Sequence, residues 1–316
     1  MSVLDIDILM SNQSENMILI KEFIKNNYRV PNLNNLQIRK VGDEYVVDYN
    51  GDMVCKNKHI DKLTNDNFRF GKVFEFDCSR CRNLISLKGA PIECDKFNCV
   101  GCDELLLLTG APQKCQNFYC SHCENLTSLE GAPLNCNTFN CTSCPSLLSL
   151  KGAPRECNTF DCSCCGSLTS LEGAPVECDK FSCVGCDNLK TLEGAPGKCD
   201  TFNCGLCAKL TTIEGTSNVC SVFSCSFCSE LTSLKGGPIE CHTFNCSHCG
   251  KLTSLEGAPG KCQSFTCLEC ENLTSLKGAP IECDVFDCSY CGKLTSLEGA
   301  PAKYDKIINI DCEKLM

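Results

Sequence analysis

Thirty-five of the 316 residues are Cys, and they stand in columns. Cys78, Cys99, Cys120 and so on to Cys288 recur every 21 residues, eleven times without insertion or deletion. A second column, Cys81 to Cys291, follows three residues later, and a third, Cys94 to Cys283, precedes the first by five. Eleven Cys-x-x-Cys pairs are a zinc-type spacing. With neighbouring units about 4.8 Å apart, Cys99 and Cys102 would meet Cys120 and Cys123 as a four-sulfur site for zinc or an iron–sulfur cluster. Against this, the first Cys of each pair is expected to face inward from a strand, and nothing in a uniform stack selects which units pair. Disulfides, within a pair or between like positions of adjacent units, form a second reading. A regular zipper of them is strained, because strand spacing exceeds the ~3.8 Å that Cβ atoms of a disulfide want. In the third reading the thiols are small buried hydrophobes. It accounts for the whole pattern without a cofactor and is preferred here.

Other chemistry finds no convergence. His59, His122, His242 and His248 share no partner pattern, acidic residues recur once per unit, and the glycines belong to turns rather than a phosphate loop. The chain is therefore expected not to be an enzyme. Cys164, beside Cys165, falls at an outward position and is the candidate reactive thiol, with Cys55 next.

Numbered from Cys94 as position 1, the unit reads Cys-x-x-Phe-x-Cys-x-x-Cys-x-x-Leu-x-x-Leu-x-Gly-Ala-Pro-x-x. A fixed period in this range indicates a solenoid, each coil burying its apolar side on its neighbours. Phe at position 4 and Cys at 6, alternating with polar residues at 5 and 7, predict a short strand there. Gly-Ala-Pro predicts a turn, and too few residues remain for a return helix. The coil is thus strand, turn, extended return, turn. Residues 71–316 hold eleven full repeats and a terminal partial one, degenerating through Tyr304 and Ile307 to Cys312–Met316. Residues 1–70 read as an amino-terminal cap. Asn12 and Glu15 form a capping pair before a helix ending near Asn26-Asn27, and a hairpin turns at Val41-Gly-Asp. Val73 stands where later copies carry Cys94.

The segment Cys94-x-x-Phe97-x-Cys99-x-x-Cys102-x-x-Leu105 resembles the leucine-rich-repeat phrase Leu-x-x-Leu-x-Leu-x-x-Cys-x-x-Leu. The fuller unit, as in Phe139–Pro154, is similar to short cysteine-rich repeats of large DNA viruses and phages. The resemblance covers residues 70–316. It implies a β-rich solenoid with one parallel strand per coil, and a module that binds other proteins rather than catalysing a reaction. It also implies that positions 5, 7 and 8 lie on or near the concave sheet face where partners dock. Position 8 varies freely, so the partner-binding candidates are Arg80, His122, Leu206, Phe227, His248 and Tyr290, the apolar members being the expected anchors.

A formal charge of −10 argues against nucleic acid and anionic membrane surfaces. The first ten residues carry acids where a signal peptide needs bases, and 18 consecutive apolar residues occur nowhere. The expected setting is a reducing cytoplasm, that of a host cell, or a virion, if the protein is viral. Opposite charges at positions 16 (Lys235, Glu256, Lys277, Glu298) and 21 (Glu240, Lys261, Glu282, Lys303) should form ladders between coils. The weakly capped carboxyl end offers a surface for self-association.

Overall fold

The computed structural model describes residues 3–55, 58–65 and 67–312, with side chains from Ser14 onward. Residues 313–316 of the terminal partial repeat lie outside that range. Helix α1 (Val3–Asn27) leads into β1 (Tyr28–Arg29), β2 (Gln37–Val41), β3 (Glu44–Cys55) and β4 (Phe68–Asp77). Ten six-residue strands follow at 21-residue intervals, from β5 (Glu93–Asn98) to β14 (Glu282–Asp287), and then β15 (Lys306–Ile308). All fifteen belong to one sheet, parallel from β3 to β15, with β1 and β2 antiparallel to β3. The architecture is a parallel β-solenoid, one strand per coil, as the period requires.

The core is a set of columns. Phe76, Phe97 and their successors to Phe286 stack ring on ring, centroids 5.1–5.7 Å apart and planes within about 21°. Such spacing between nearly parallel rings is the offset stack that aromatic quadrupoles favour. Leu at position 12 and Leu or Ile213 at position 15 are buried beside them up to Leu294, while Leu297 in the last coil is partly exposed. The stack is closed at its amino end by edge-to-face contacts among Phe23, Phe68, Phe70 and Tyr28, whose hydroxyl donates to the Leu63 carbonyl at 2.6 Å. Ile20 and Ile24 of α1 are buried against this cluster, so the helix is the cap.

Two expectations need correction. Asn12 does not begin the helix. α1 starts at Val3, and the capping signature lies inside it, where the helix-favouring run Leu4–Met10 carries the element through. The strand occupies positions 21 to 5, not 4 to 7. Positions 1 and 4 both point inward although they are three residues apart, which strict alternation would put on opposite faces, because the register skips position 2. Cys199 pairs with Cys178 and Thr201 with Lys180, but Asp200 and Asp179 are passed over. A period-2 reading starts the strand four residues too late and ends it two too late. The parallel sheet begins with β3, and β4 spans the boundary expected at residue 70. The hairpin is as expected, with Gly42 at φ +64°, and Val73 pairs in register with Cys94.

Candidate interaction surface

Position 8 follows the strand at a corner where the backbone turns left-handed. Arg80, His122, Ser143, Cys164, Leu206, Phe227, His248, Glu269, Tyr290 and Asp311 all have φ between +51° and +62°, and Gly101 and Gly185 share the conformation. The corner is built by two neighbours. Position 5 accepts the backbone N–H two residues on, as Asn98 does from Val100 (3.1 Å) and Asn245 from Ser247 (2.9 Å), closing an Asx turn. The position-8 N–H then donates to the position-7 carbonyl of the next coil, His122 to Thr142 at 2.9 Å and Phe227 to Ser247 at 2.8 Å. The uniform small polar column at position 5 is thus a structural cap for this corner, and position 8 is held in backbone while its side chain stays free.

All six partner-binding candidates therefore lie in one ladder, at a corner three residues beyond the end of each strand. Leu206, Phe227 and Tyr290 are about half exposed (52%, 49% and 47%). The rings of Phe227 and His248 stack at 4.0 Å with 9° between planes, and His248 Nδ1 lies 3.5 Å from a carboxylate oxygen of Glu269. Leu206, Phe227, His248, Glu269 and Tyr290 occupy five successive coils. Arg80 and His122 are exposed but sit in the first coils, separated from this group by Ser143, Cys164 and Gly185. The stacking and the left-handed corner were missed in the sequence. Two glycines in the column and its lack of Val, Ile or Thr were the available signals, since β-branched residues tolerate positive φ worst.

Every cysteine is a free thiol, and Cys164 is the exposed one. Its pKa is raised by partial desolvation, so access rather than activation sets its reactivity. Cys55, expected to be the next most reactive, is 1% exposed and placed beside Cys81, because β3 runs into the core beneath β1. Cys99, Cys102, Cys120 and Cys123 are fully buried. The Cys102 thiol donates to the Cys78 carbonyl (3.2 Å) and the Cys123 thiol to the Cys99 carbonyl (3.3 Å), each reaching back one coil. The same bond recurs up to Cys312 and Cys288 (3.2 Å). Position 9 is thus more than a small hydrophobe: it is a weak donor that ties coils together. Burial pushes the Cys99 and Cys120 thiols well above the usual range. Among the described residues, no group of three or more His, Cys, Asp or Glu side chains is arranged to hold a metal ion.

The charge ladders form. Glu256 lies between Lys235 (3.8 Å) and Lys277 (2.8 Å), and Glu282 between Lys261 (2.8 Å) and Lys303 (2.6 Å). Beside them the strand ends frame a groove of about 750 Å³ from Glu93 to Lys198, with carboxylates, lysines and amides on its walls and position-1 cysteines on its floor. Among the described residues, no helix is long and apolar enough to cross a membrane.

The fold is similar to that of a leucine-rich repeat protein from Bacteroides ovatus solved at 1.19 Å resolution. The match has 13% sequence identity and a TM-score of 0.44, covering 91% of this chain and 93% of that one. No protein-family model and no curated protein matches the sequence. At this identity the likeness says nothing about what the chain binds.

Proposed function

We propose that the chain is a non-enzymatic binding or scaffolding module of the viral or phage type, with a protein partner seated along the position-8 ladder from Leu206 to Tyr290. The single observation that supports this reading is the cost of that ladder. A left-handed conformation costs a non-glycine residue roughly 1–2 kcal/mol. Glycine would meet the same corner without that cost, as it does at Gly101 and Gly185. Large side chains held there half exposed, Phe227 stacked on His248 among them, contribute little to the core. They are preorganised contacts of the kind that carry binding energy in interfaces. A host cytoplasm or virion is the setting that fits free thiols.

The test is a triple variant, Leu206→Ser with Phe227→Ser and Tyr290→Ser, compared with Ile85→Ser, an equally exposed apolar residue on the return side (68% exposed). Affinity capture from the native source should retain a partner with the wild type and Ile85→Ser and lose it with the triple variant. An anchor is worth about 2 kcal/mol or more, so loss of one alone should weaken binding roughly 30-fold. Retention by the triple variant defeats the proposal. Elemental analysis with a free-thiol count separates the rival class: several bound metals, or far fewer than 35 free thiols in protein kept reduced, favours a metal or redox protein.

A further inference from the structure

The position-1 cysteines differ from the others in two ways. They are 2–9% exposed, whereas those at positions 6 and 9 from Cys78 to Cys291 are sealed. They also approach one another in pairs rather than as an even column. Sγ–Sγ separations are 3.8 Å for Cys94–Cys115, 3.8 Å for Cys178–Cys199, 3.9 Å for Cys220–Cys241 and 3.5 Å for Cys262–Cys283. Each of these pairs is in strand register. Register also holds from Cys136 through Cys157 to Cys178, whose sulfurs make no such contact, but at three other joints it is interrupted at position 1. The pairing of β6 (Lys114–Tyr119) with β7 (Asn135–Asn140) begins only at Asn117, and that of β10 (Lys198–Asn203) with β11 (Val219–Ser224) only at Thr201. β12 (Glu240–Asn245) and β13 (Lys261–Thr266) likewise pair at Glu240 and Lys261 but pass over Cys241 and Cys262.

We propose that these four thiol pairs are sites of oxidative cross-linking, each closing to an inter-coil disulfide when the folded chain meets hydrogen peroxide. A uniform zipper is strained by the strand spacing, but discrete pairs with sulfurs already in contact need only a local adjustment, and the breaks between pairs absorb it. The groove opens on Cys94, Cys115, Cys136, Cys157 and Cys178 and gives a small oxidant its path to the first two pairs. In three pairs the first thiol donates to the second, and in Cys220–Cys241 either sulfur can donate. This hydrogen bond holds Cys115, Cys199, Cys241 and Cys283 below the usual thiol range and marks the nucleophile of each pair. That thiolate attacks peroxide: an S–O bond forms, the O–O bond breaks, and the released hydroxide leaves as water with the thiol proton. The neighbouring sulfur then attacks the sulfenic acid, the S–S bond forms, and the S–O bond breaks with loss of a second water. One peroxide is reduced to two waters, and two thiols lose their hydrogens. Coils become stapled two by two, with unstapled joints between the pairs.

The experiment treats the folded full-length Cys164→Ser variant with peroxide, alkylates the remaining thiols, digests without reductant and maps cross-linked peptides by mass spectrometry. The expected products are Cys94–Cys115, Cys178–Cys199, Cys220–Cys241 and Cys262–Cys283, each two hydrogens lighter. Cross-pair products such as Cys115–Cys136 or Cys241–Cys262 should be at least tenfold rarer. In Cys94→Ser, Cys115 should stop at a sulfenic acid that dimedone traps, while the other three pairs close as before. Cross-links spread evenly along the column, or confined to positions 6 and 9, overturn the proposal. So does a folded chain that keeps all position-1 thiols free after Cys94→Ser has shown that peroxide reaches Cys115.

Discussion

Phe160 lies mid-column, fully buried, with Phe139 at 5.4 Å on one side and Phe181 at 5.5 Å on the other. Phe160→Ala removes the ring and leaves a cavity that the neighbouring coils, tied by backbone hydrogen bonds, cannot fully close. Such truncations cost about 3–5 kcal/mol, and loss of two stacking contacts places this one toward the upper end. In a solenoid each coil touches only its neighbours, so the damage should be local. The chain carries its own reporters: Cys141, Cys162 and Cys183 are inaccessible and bracket the site, whereas Cys267 lies five coils from Cys162. At about 1.36 kcal/mol per decade, opening made 3–5 kcal/mol easier raises alkylation rates at the three nearby thiols by roughly 10²–10⁴-fold. Pulsed alkylation of folded protein, read by mass spectrometry in a Cys164→Ser background, measures this directly. Cys267 should change far less. Acceleration below about tenfold at the neighbours would mean that the Phe column is not the main source of local stability. Equal acceleration at every thiol would mean that the chain opens as one cooperative unit and that the nearest-neighbour picture fails.

Cys164→Ser by itself should remove the fast labelling phase of the native protein and change stability by no more than about 0.5 kcal/mol, since the side chain is exposed; Cys55 should stay protected until the chain unfolds. Hydrogen bonds from Lys261 and then Lys303 lower the Glu282 carboxyl from 4.5 to about 2. A depressed folded pKa adds stability above the unfolded value that is lost as pH falls from 4.5 through about 2, so an NMR titration at low salt should place the midpoint near 2 and molar salt should raise it; a low-salt midpoint of 4 or more refutes the ladder. Gly257 has φ +97°, and a Cβ there would lie 2.3 Å from the Lys235 nitrogen, so Gly257→Ala should cost more than about 2 kcal/mol in urea unfolding. Gly250→Ala, with nothing within 4 Å of its Cβ, should cost no more than about 0.5 kcal/mol, and similar costs for the two would refute the close-approach argument.

The columns were readable because eleven copies can be compared within one chain. Phe at position 4 and Leu at 12 and 15 do not change because each stacks on its own kind, and they form the core as expected, apart from Leu297 at the frayed end. The strand was misplaced because period-2 alternation cannot register a skipped residue. Position 2 leaves the ladder, and Cys at 1 and Phe at 4 come to share a face. The thiols were half understood. Composition identified them as buried, but a donor to a carbonyl one coil back and a contact between particular neighbouring coils are relations in three dimensions, and neither has a counterpart in a 21-residue pattern. The pairing at position 1 passes over Cys136 and Cys157, so no fixed repeat in the sequence announces it.

Two columns of the coil turn left-handed, and their contrast separates structure from information. At position 17 every copy carries Gly, because φ lies near +90° and a Cβ would fall 2.3–2.9 Å from the preceding coil or, at Gly89, from Thr64 of the cap. At position 8 the conformation also favours Gly, yet the space is open: a Cβ on Gly101 or Gly185 would meet nothing closer than 3.5 Å. The first column is closed by packing, so only one residue type fits there. The second excludes nothing by contact and imposes only a backbone cost, so whatever occupies it is there for what the side chain does outside the coil. Within it the chain changes character along its length, from Arg80, His122 and small residues to Leu206, Phe227, His248, Glu269 and Tyr290. A column that served only solubility would carry no aromatic stack at such a corner. The position-8 ladder is therefore where this otherwise repetitive surface becomes particular, and most so in its carboxyl-terminal half, from Leu206 to Tyr290.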